Sequence, residues 1–441
     1  MNTSDNIAAP ASAVGGAVTV IRISGPDALH IGNAVWQGKV PLSDRNKRKM
    51  LLGNTAGDTA LAVYMKSPHS YTGDDVVELQ CHGGAAAAAS VMKLLLASGC
   101  RLAEPGEFTY RAFVNGKLDL LQAEAVADII ASGSQAALHL AEKQLAGSLS
   151  NRINQLWDDL ATLRSECESR LDFPDEELDF DDEVPAKLAA AVAEIDTLLA
   201  SGTAGAIIRD GVRVVLAGKP NAGKSSLLNR ILGYDRAIVS AIPGTTRDTV
   251  DSHAVIRDIP VNLTDTAGLR ESDDPVEQLG IERSFRSIRA GEITLWLLDA
   301  SAADTAAEAA SLDREAPGVI AVWNKCDLVP DKKLPETGVP QVQISAATGA
   351  NLEMLFDAFE ARIAGGQHFT IPETAVNARS AALLEQARQA VLRAGTAFDD
   401  GDFELAAMEL AEAIHQTGLI TGKTTAPDLL DKIFHRFCLG K

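Results

Sequence analysis

No run of 18 apolar residues occurs in this chain, so no membrane-spanning helix and no membrane partner are expected. The opening MNTSDNIAAPASAVGG lacks the basic segment of a secretory signal. Five cysteines (Cys81, Cys100, Cys167, Cys326 and Cys438) lie far apart without a CxxC pair, which argues against a zinc site or a disulfide framework. The cytoplasm is therefore the expected compartment. Positive charge is in short supply as well: 40 Lys and Arg stand against 60 Asp and Glu, a formal net charge of −20. A protein that coats nucleic acid through a general basic surface needs clustered cations, so that class is excluded, whereas a local basic pocket is not. Acid gathers in patches such as DFPDEELDFDDE (172–183), read as solvated surface. Internal repeats and low-complexity segments are missing too.

What is present reads as globular, with 46% hydrophobic and 23% charged residues, and 441 residues imply about three domains. Residues 1–117 mix β-like runs (AVTVIRIS, LAVYM, DVVELQC) with one Ala-rich helix, an α+β texture. From 118 to 206 apolar residues recur every three or four positions, as in long helices. Residues 207–369 alternate short apolar strands with helices, as βαβ units do. Residues 370–441 return to helix. The expected architecture is multidomain: an α/β domain inserted into an all-α domain, preceded by an α+β domain.

The inserted domain carries the chemistry. Strand GVRVVLAG runs into Gly218-Lys-Pro-Asn-Ala-Gly223-Lys224-Ser225, a match to G-x-x-x-x-G-K-[ST] between strand and helix. Its glycines let backbone N–H groups turn around phosphate oxygens, Lys224 bridges the β- and γ-phosphates, and Ser225 ligates Mg²⁺. Asn221, Ala222, Gly223 and Ser226 complete the loop. Downstream, PGTTRD offers Thr246 to Mg²⁺, and VNLTDTAG supplies Asp265 for the metal's water shell and Gly268 for the γ-phosphate, with Thr266 and Ala267 between. NKCD places Asn324, Lys325 and Asp327 at the end of a further strand. The Asp327 carboxylate can accept from guanine N1–H and the 2-amino group, a donor pair that adenine lacks. Ser345 and Ala346 of QISAAT close the base pocket. Together these ordered motifs select GTP.

Hydrolysis needs another device. Ras-like switches carry a Gln after D-x-x-G to orient water, but here Leu269 has neither donor nor acceptor. Glu271 and Glu277 both remain open as replacements, and Arg247 and Arg270 are candidate charge donors. A fixed monovalent cation can supply positive charge beside the phosphates, with Asn221 as a possible ligand.

The motifs GKPNAGKSSLLN, AIVSAIPGTTRD, DTAGLRES and NKCD, the upstream SYTGDDVVELQCHGG and PGEFTYRAFVNGKLDLLQAEAVADII, and the terminal FCLGK resemble the MnmE (TrmE) family of tRNA-modification GTPases over nearly the whole chain. The resemblance implies a P-loop Ras-like G domain and a folate-binding first domain that also forms a constitutive homodimer. It implies 5-formyl- or 5,10-methylene-tetrahydrofolate as ligand, on Arg22, Glu78 and Lys117, with the terminal Lys441 near the same pocket. It places K⁺ on Asn221, Ser240, Ile242 and Thr245, within a nucleotide-binding switch that includes Ala241, Pro243 and Gly244, and it selects Glu277 as the catalytic carboxylate. It implies an FAD-dependent partner of the MnmG type, in a heterotetramer, and the wobble uridine of certain tRNAs as the place of modification at C5. Cys438 is implied as a candidate in that modification chemistry, beside its reading as a structural thiol. One departure stands out: the family's N-terminal TPPGRGG stretch reads APASAVGG here, without the arginine. The competing class is a ribosome-assembly GTPase of the Era or Der type, which would carry an RNA-binding module in place of the first domain.

Overall fold

The computed structural model describes residues 3–172, 183–234, 251–265, 292–303, 309–310, 312, 318–365, 369–424, 430, 433–434, 437 and 440. These fall into two compact units, one of Met1–Ile130, Glu142–Thr197 and Ala378–Lys441, the other of Ala131–Ala141 and Leu198–Asn377.

The first unit holds a seven-stranded sheet among the described residues, formed by β1 (Ile7–Pro10), β2 (Val18–Ser24), β3 (Gln37–Gly38), β4 (Leu51–Thr55), β5 (Asp58–Met65), β6 (Val76–His82) and β7 (Arg101–Leu102). Their spatial order is β3-β4-β5-β6-β2-β1-β7, and all pairs are antiparallel except β1 with β7. Alternation on β2 turns Ile21 and Ile23 into a core shared with Tyr64, Leu79 and Trp36, while Arg22 points the other way. Helices α1 (Ala28–Val35) and α2 (Ala85–Ala97) cover the apolar face. In the same unit α3 (Glu107–Val114) leads to α4 (Leu120–Ala131), α5 (Gln135–Leu145) starts in the other unit, and α6 (Ser148–Asp172) is followed by α7 (Val184–Asp210), whose residues from Leu198 on belong to the other unit.

A buried ionic knot holds α3. Glu107 and Arg111 are fully buried one turn apart. Arg111 Nη2 lies 2.7 Å from Asp5 Oδ1, and Arg101 Nη1 donates to Glu107 Oε2 at 2.8 Å. Burial alone would raise the Glu107 carboxyl, but the Arg101 hydrogen bond, the Glu104 N–H and the two arginine charges hold it below its usual value. A depressed carboxyl stabilises the fold above the unfolded pKa of about 4.3 and loses that contribution as pH falls through the folded value. Glu107→Gln is therefore expected to cost about 3 kcal/mol at neutral pH, because two guanidinium groups lose a buried counter-charge. Chemical denaturation at a series of pH values checks it, since the variant's stability is expected to fall less steeply on acidification.

Helix α7 qualifies the expectation about membranes. It is long and apolar enough to cross a bilayer by composition, with a mean hydropathy of 1.4 over its best window. The sequence reading asked for an unbroken apolar run, whereas this helix is apolar only on average. Its Glu194 is 2.8 Å from Arg152 and its Asp196 2.6 Å from Arg388, while Leu188, Ala191, Ile195 and Leu198 are buried in protein. Four of its apolar residues are thus enclosed by protein, and two of its acids are paired with arginines.

The second unit contains a six-stranded sheet among the described residues: β8 (Val212–Gly218), β9 (Asp251–Ile256), β10 (Ile259–Asp265), β11 (Glu292–Asp299), β12 (Val319–Asn324) and β13 (Gln341–Gln343). The order is β13-β12-β11-β8-β10-β9, parallel throughout except for the edge pair β9–β10. Strand β12 is buried at every position, as a central strand covered on both faces must be. Helices α8 (Lys224–Tyr234) and α9 (Leu352–Ile363) contribute Leu227, Ile231, Leu355 and Phe359 to its core. The parallel strands deliver the carboxyl ends of β8, β11 and β12 to one edge, where ligands of open α/β sheets bind. Helices α10 (Ala378–Asp399) and α11 (Phe403–Thr421) belong to the first unit and pack on each other and, for α11, on α6.

Candidate nucleotide-binding site

Strand β8 ends at Gly218, whose φ of +133° and position against the Leu297 carbonyl leave no room for a side chain: a Cβ would lie 2.3 Å from that oxygen. Asn221 and Gly223 also take positive φ, +65° and +99°. A strand followed by residues alternating in hand turns successive N–H groups inward, and α8 begins immediately at Lys224, so its dipole adds to the nest. Lys224 Nζ donates to the Gly218 carbonyl at 2.8 Å and to the Lys219 carbonyl at 3.1 Å, which folds the ammonium over the loop. Ser225 and Ser226 stand exposed in the first turn of α8.

The base-reading end is joined to this loop by Asn324. Its side chain is buried, donating to the Ala222 carbonyl at 2.8 Å and accepting from the Ala346 N–H at 2.9 Å. One carboxamide thus ties the phosphate loop to the QISAAT loop across 102 residues of sequence on one side and 22 on the other. Lys325 adopts φ +64°, and its ammonium lies 2.6 Å from Asp299 at the end of β11. Burial would raise Asp299, but Lys325 and the N–H and hydroxyl of Ser301 pull its carboxyl below the usual range. Asp327 is exposed at the mouth, available to a base edge. Ser345 is buried, its hydroxyl accepting from the Thr348 N–H at 3.2 Å, which shapes the loop behind the base.

Two residues of this site carry no motif and escaped the sequence reading. Asp299 is one. The other is Arg230 on α8, whose Nε donates to the Ala346 carbonyl at 3.0 Å while Nη2 donates to the Ala347 carbonyl. Arg230 lies six residues after Lys224, in a stretch that reads as ordinary helix. Arg230→Met is expected to weaken GDP binding about tenfold, the worth of the charge-assisted bonds that hold the base loop. Titration calorimetry measures it, with the helix content unchanged.

The switch residues Ser240, Ala241, Ile242, Pro243, Gly244, Thr245, Thr246, Arg247, Thr266, Ala267, Gly268, Leu269, Arg270, Glu271 and Glu277 lie outside the described residues, as do Cys438 and Lys441. Asp265 closes β10, and its description stops at the backbone.

In the first unit Arg22 and Glu78 are register partners on β2 and β6, with Nε 2.9 Å from Oε1. The Arg22 guanidinium lies 5.1 Å from the centre of the Tyr71 ring and 5.6 Å from that of Phe108. Tyr71 shares a hydrogen bond of 2.8 Å with Thr109, and burial pushes its phenol up. Its other side lines an open cleft of about 430 Å³ with Arg48, His69 and Lys117, and Lys117 Nζ donates to the Pro68 carbonyl at 3.1 Å. Tyr71 thus connects the Arg22–Glu78 pair to Lys117. Arg48 is the cation that the sequence reading missed. Gly440 packs on the end of β1, where a Cβ would lie 1.8 Å from the Pro10 carbonyl, one register position from the Ala9–Arg22 pair.

A model of the MnmE helical domain matches residues 120–438, and a model described as the GTP-binding protein TrmE N-terminus matches residues 6–117. The tRNA modification GTPase MnmE of Geotalea uraniireducens is 41% identical over 455 residues, covering 100% of both chains. The protein of the same name from Dichelobacter nodosus is 44% identical over 457 residues, again covering 100% of both. That from Synechococcus sp. strain JA-2-3B'a(2-13) is 42% identical, covering 99% of this chain and 98% of its own.

Proposed function

The chain belongs to the MnmE family, and from that premise we propose that it is a GTP hydrolase acting in tRNA modification, at C5 of the wobble uridine of certain tRNAs. The observation that carries the reading is a full-length likeness to relatives of that name joined to a phosphate loop and a base loop locked together by Asn324. Lys224 would exchange its loop carbonyls for the β- and γ-phosphates, and Ser225 and Thr246 would hold Mg²⁺. Asp327 accepts from the guanine edge, and Lys325, anchored by Asp299, walls the pocket. Asn221, Ser240, Ile242 and Thr245 would hold K⁺, which would supply positive charge to the phosphates, and Glu277 would orient the attacking water. Hydrolysis on meeting of two G domains gates the modification and does not itself form the new bond.

The first domain serves as the homodimer's joint and as the folate site. Cations at Lys117 and Lys441 suit the carboxylates of a tetrahydrofolate, and Glu78, held by its ion pair with Arg22, suits the amino–amide edge of a pterin. Tetrahydrofolate supplies a one-carbon unit, and an MnmG-type flavoprotein partner supplies redox chemistry. Cys438 stands as a further group for that chemistry, and the setting is cytoplasmic, away from any membrane.

GTP turnover in matched K⁺ and Na⁺ buffers tests the hydrolytic half. Turnover about tenfold or more faster in K⁺ is expected, the effect of one fixed positive charge on the developing negative charge. Equal rates in the two salts would contradict the cation site. Reconstitution with the flavoprotein partner, tRNA, GTP and folate tests the other half, and omission of GTP is expected to stop the modification.

A further inference from the structure

Positive charge is concentrated at one point of a chain that is otherwise acidic. Against a net charge of −20, the stretch Arg45-Asn46-Lys47-Arg48-Lys49 places four cations in five positions. All four are exposed. A charge run is ordinarily a solvated face, but two observations set this one apart.

First, it is built on an ordered turn. Asn46 accepts from the Ser43 N–H at 2.8 Å and donates to the Pro41 carbonyl at 2.8 Å, and the Lys49 N–H donates to the Asn46 carbonyl at 3.0 Å. Arg48 takes φ +62° and its N–H donates to the Tyr64 carbonyl at 2.8 Å, which fastens the turn to β5. The polar residue of the stretch is spent on holding the backbone, and Arg45, Lys47 and Lys49 face solvent. Second, the run continues into a concave surface. Arg48 donates to the His69 carbonyl at 2.9 Å and lines the 430 Å³ cleft with His69 and Lys117. Lys66 is exposed beside it, paired with Asp44.

We propose that this face, Arg45, Lys47, Arg48 and Lys49 at the rim of the cleft, binds the sugar-phosphate backbone of the tRNA. The inference rests on the tRNA reading above and deepens it by naming the residues of this chain that take the RNA. A small dicarboxylate is satisfied by the cations inside the cleft and leaves Arg45, Lys47 and Lys49 without a role. An extended polyanion running along the rim engages those three. Elsewhere the acidic balance repels RNA, so a preorganised basic island also fixes where the RNA settles.

The test is filter binding of tRNA by the intact protein across about 50 to 200 mM KCl, for the parent and for the triple variant Arg45→Ala, Lys47→Ala, Lys49→Ala. Each phosphate contact adds about 0.7 to 0.9 to the slope of log K against log salt, so the triple variant is expected to lower the slope by about 2 to 3. GTP turnover and melting temperature are expected to stay at parental values, because none of the three residues touches the nucleotide site. If the triple variant does not fold, Arg45→Glu alone must lower the slope by about 1. Equal affinity and slope in parent and variant would overturn the proposal, as would a parent protein that binds no tRNA at any salt. Weakened tetrahydrofolate binding with an unchanged tRNA slope would also overturn it, and would assign the face to small carboxylates. The tRNA reading itself is judged separately, by the wobble nucleoside in cells.

Discussion

Asp327→Asn is expected to lower affinity for GDP and GTP by about 10² to 10⁴, leaving melting temperature near the parental value. The Asp327 carboxylate is exposed, so its loss leaves no buried charge behind. In the proposed role it would accept two hydrogen bonds from the guanine edge, each worth about 1.5 to 3 kcal/mol when the acceptor is charged. An asparagine at that place presents an N–H donor toward the guanine N1–H and 2-amino donors, so one bond is lost and a donor–donor contact replaces it. Xanthine carries a carbonyl where guanine carries the 2-amino group, and it accepts from the new donor. The variant is therefore expected to bind xanthosine diphosphate better than GDP, while adenosine nucleotides stay excluded. Competition titrations with the three diphosphates measure the order of affinities. A variant that still prefers GDP would remove Asp327 from the base-reading role.

Gly223→Ala is expected to weaken nucleotide binding by roughly 10² to 10³ through a different route. The residue takes φ +99°, which costs an L side chain about 1 to 3 kcal/mol, and a Cβ there would lie 2.1 Å from Asn324 Nδ2. Something has to move, and the atom in the way is the donor to the Ala222 carbonyl. Displacing it unfastens the phosphate loop from the base loop at a further cost of about 1 to 3 kcal/mol. Because strain and lost bond share Asn324, the double variant Gly223→Ala, Asn324→Ala is expected to lose less than the sum of the single losses. Additive losses would mean that the glycine and the carboxamide act independently.

These two cases mark what sequence reasoning can and cannot reach. The strand–loop–helix carrying Gly218 and Lys224 is a local pattern, because strand alternation, glycines and helix start lie within one short stretch. The fold class followed from such textures, and the parallel sheet with its antiparallel edge pair agrees with them. Pairings over long sequence separations are not local. Asn324 was legible as part of NKCD, but its bond to Ala222 depends on β8 and β12 flanking β11. Arg230 and Asp299 carry no motif, and only three-dimensional proximity gives them partners. Similarly, Arg22 and Glu78 became a pair through the β2–β6 register, and Arg48 joined Lys117 through the cleft.

The most direct measurement is mass spectrometry of tRNA nucleosides from cells in which this gene has been deleted, beside the parent and a strain carrying Lys224→Ala in its place. The account predicts that the C5 substituent of the wobble uridine disappears in both mutant strains and returns when the parental gene is restored. A substituent present at parental levels in the deletion strain would contradict it.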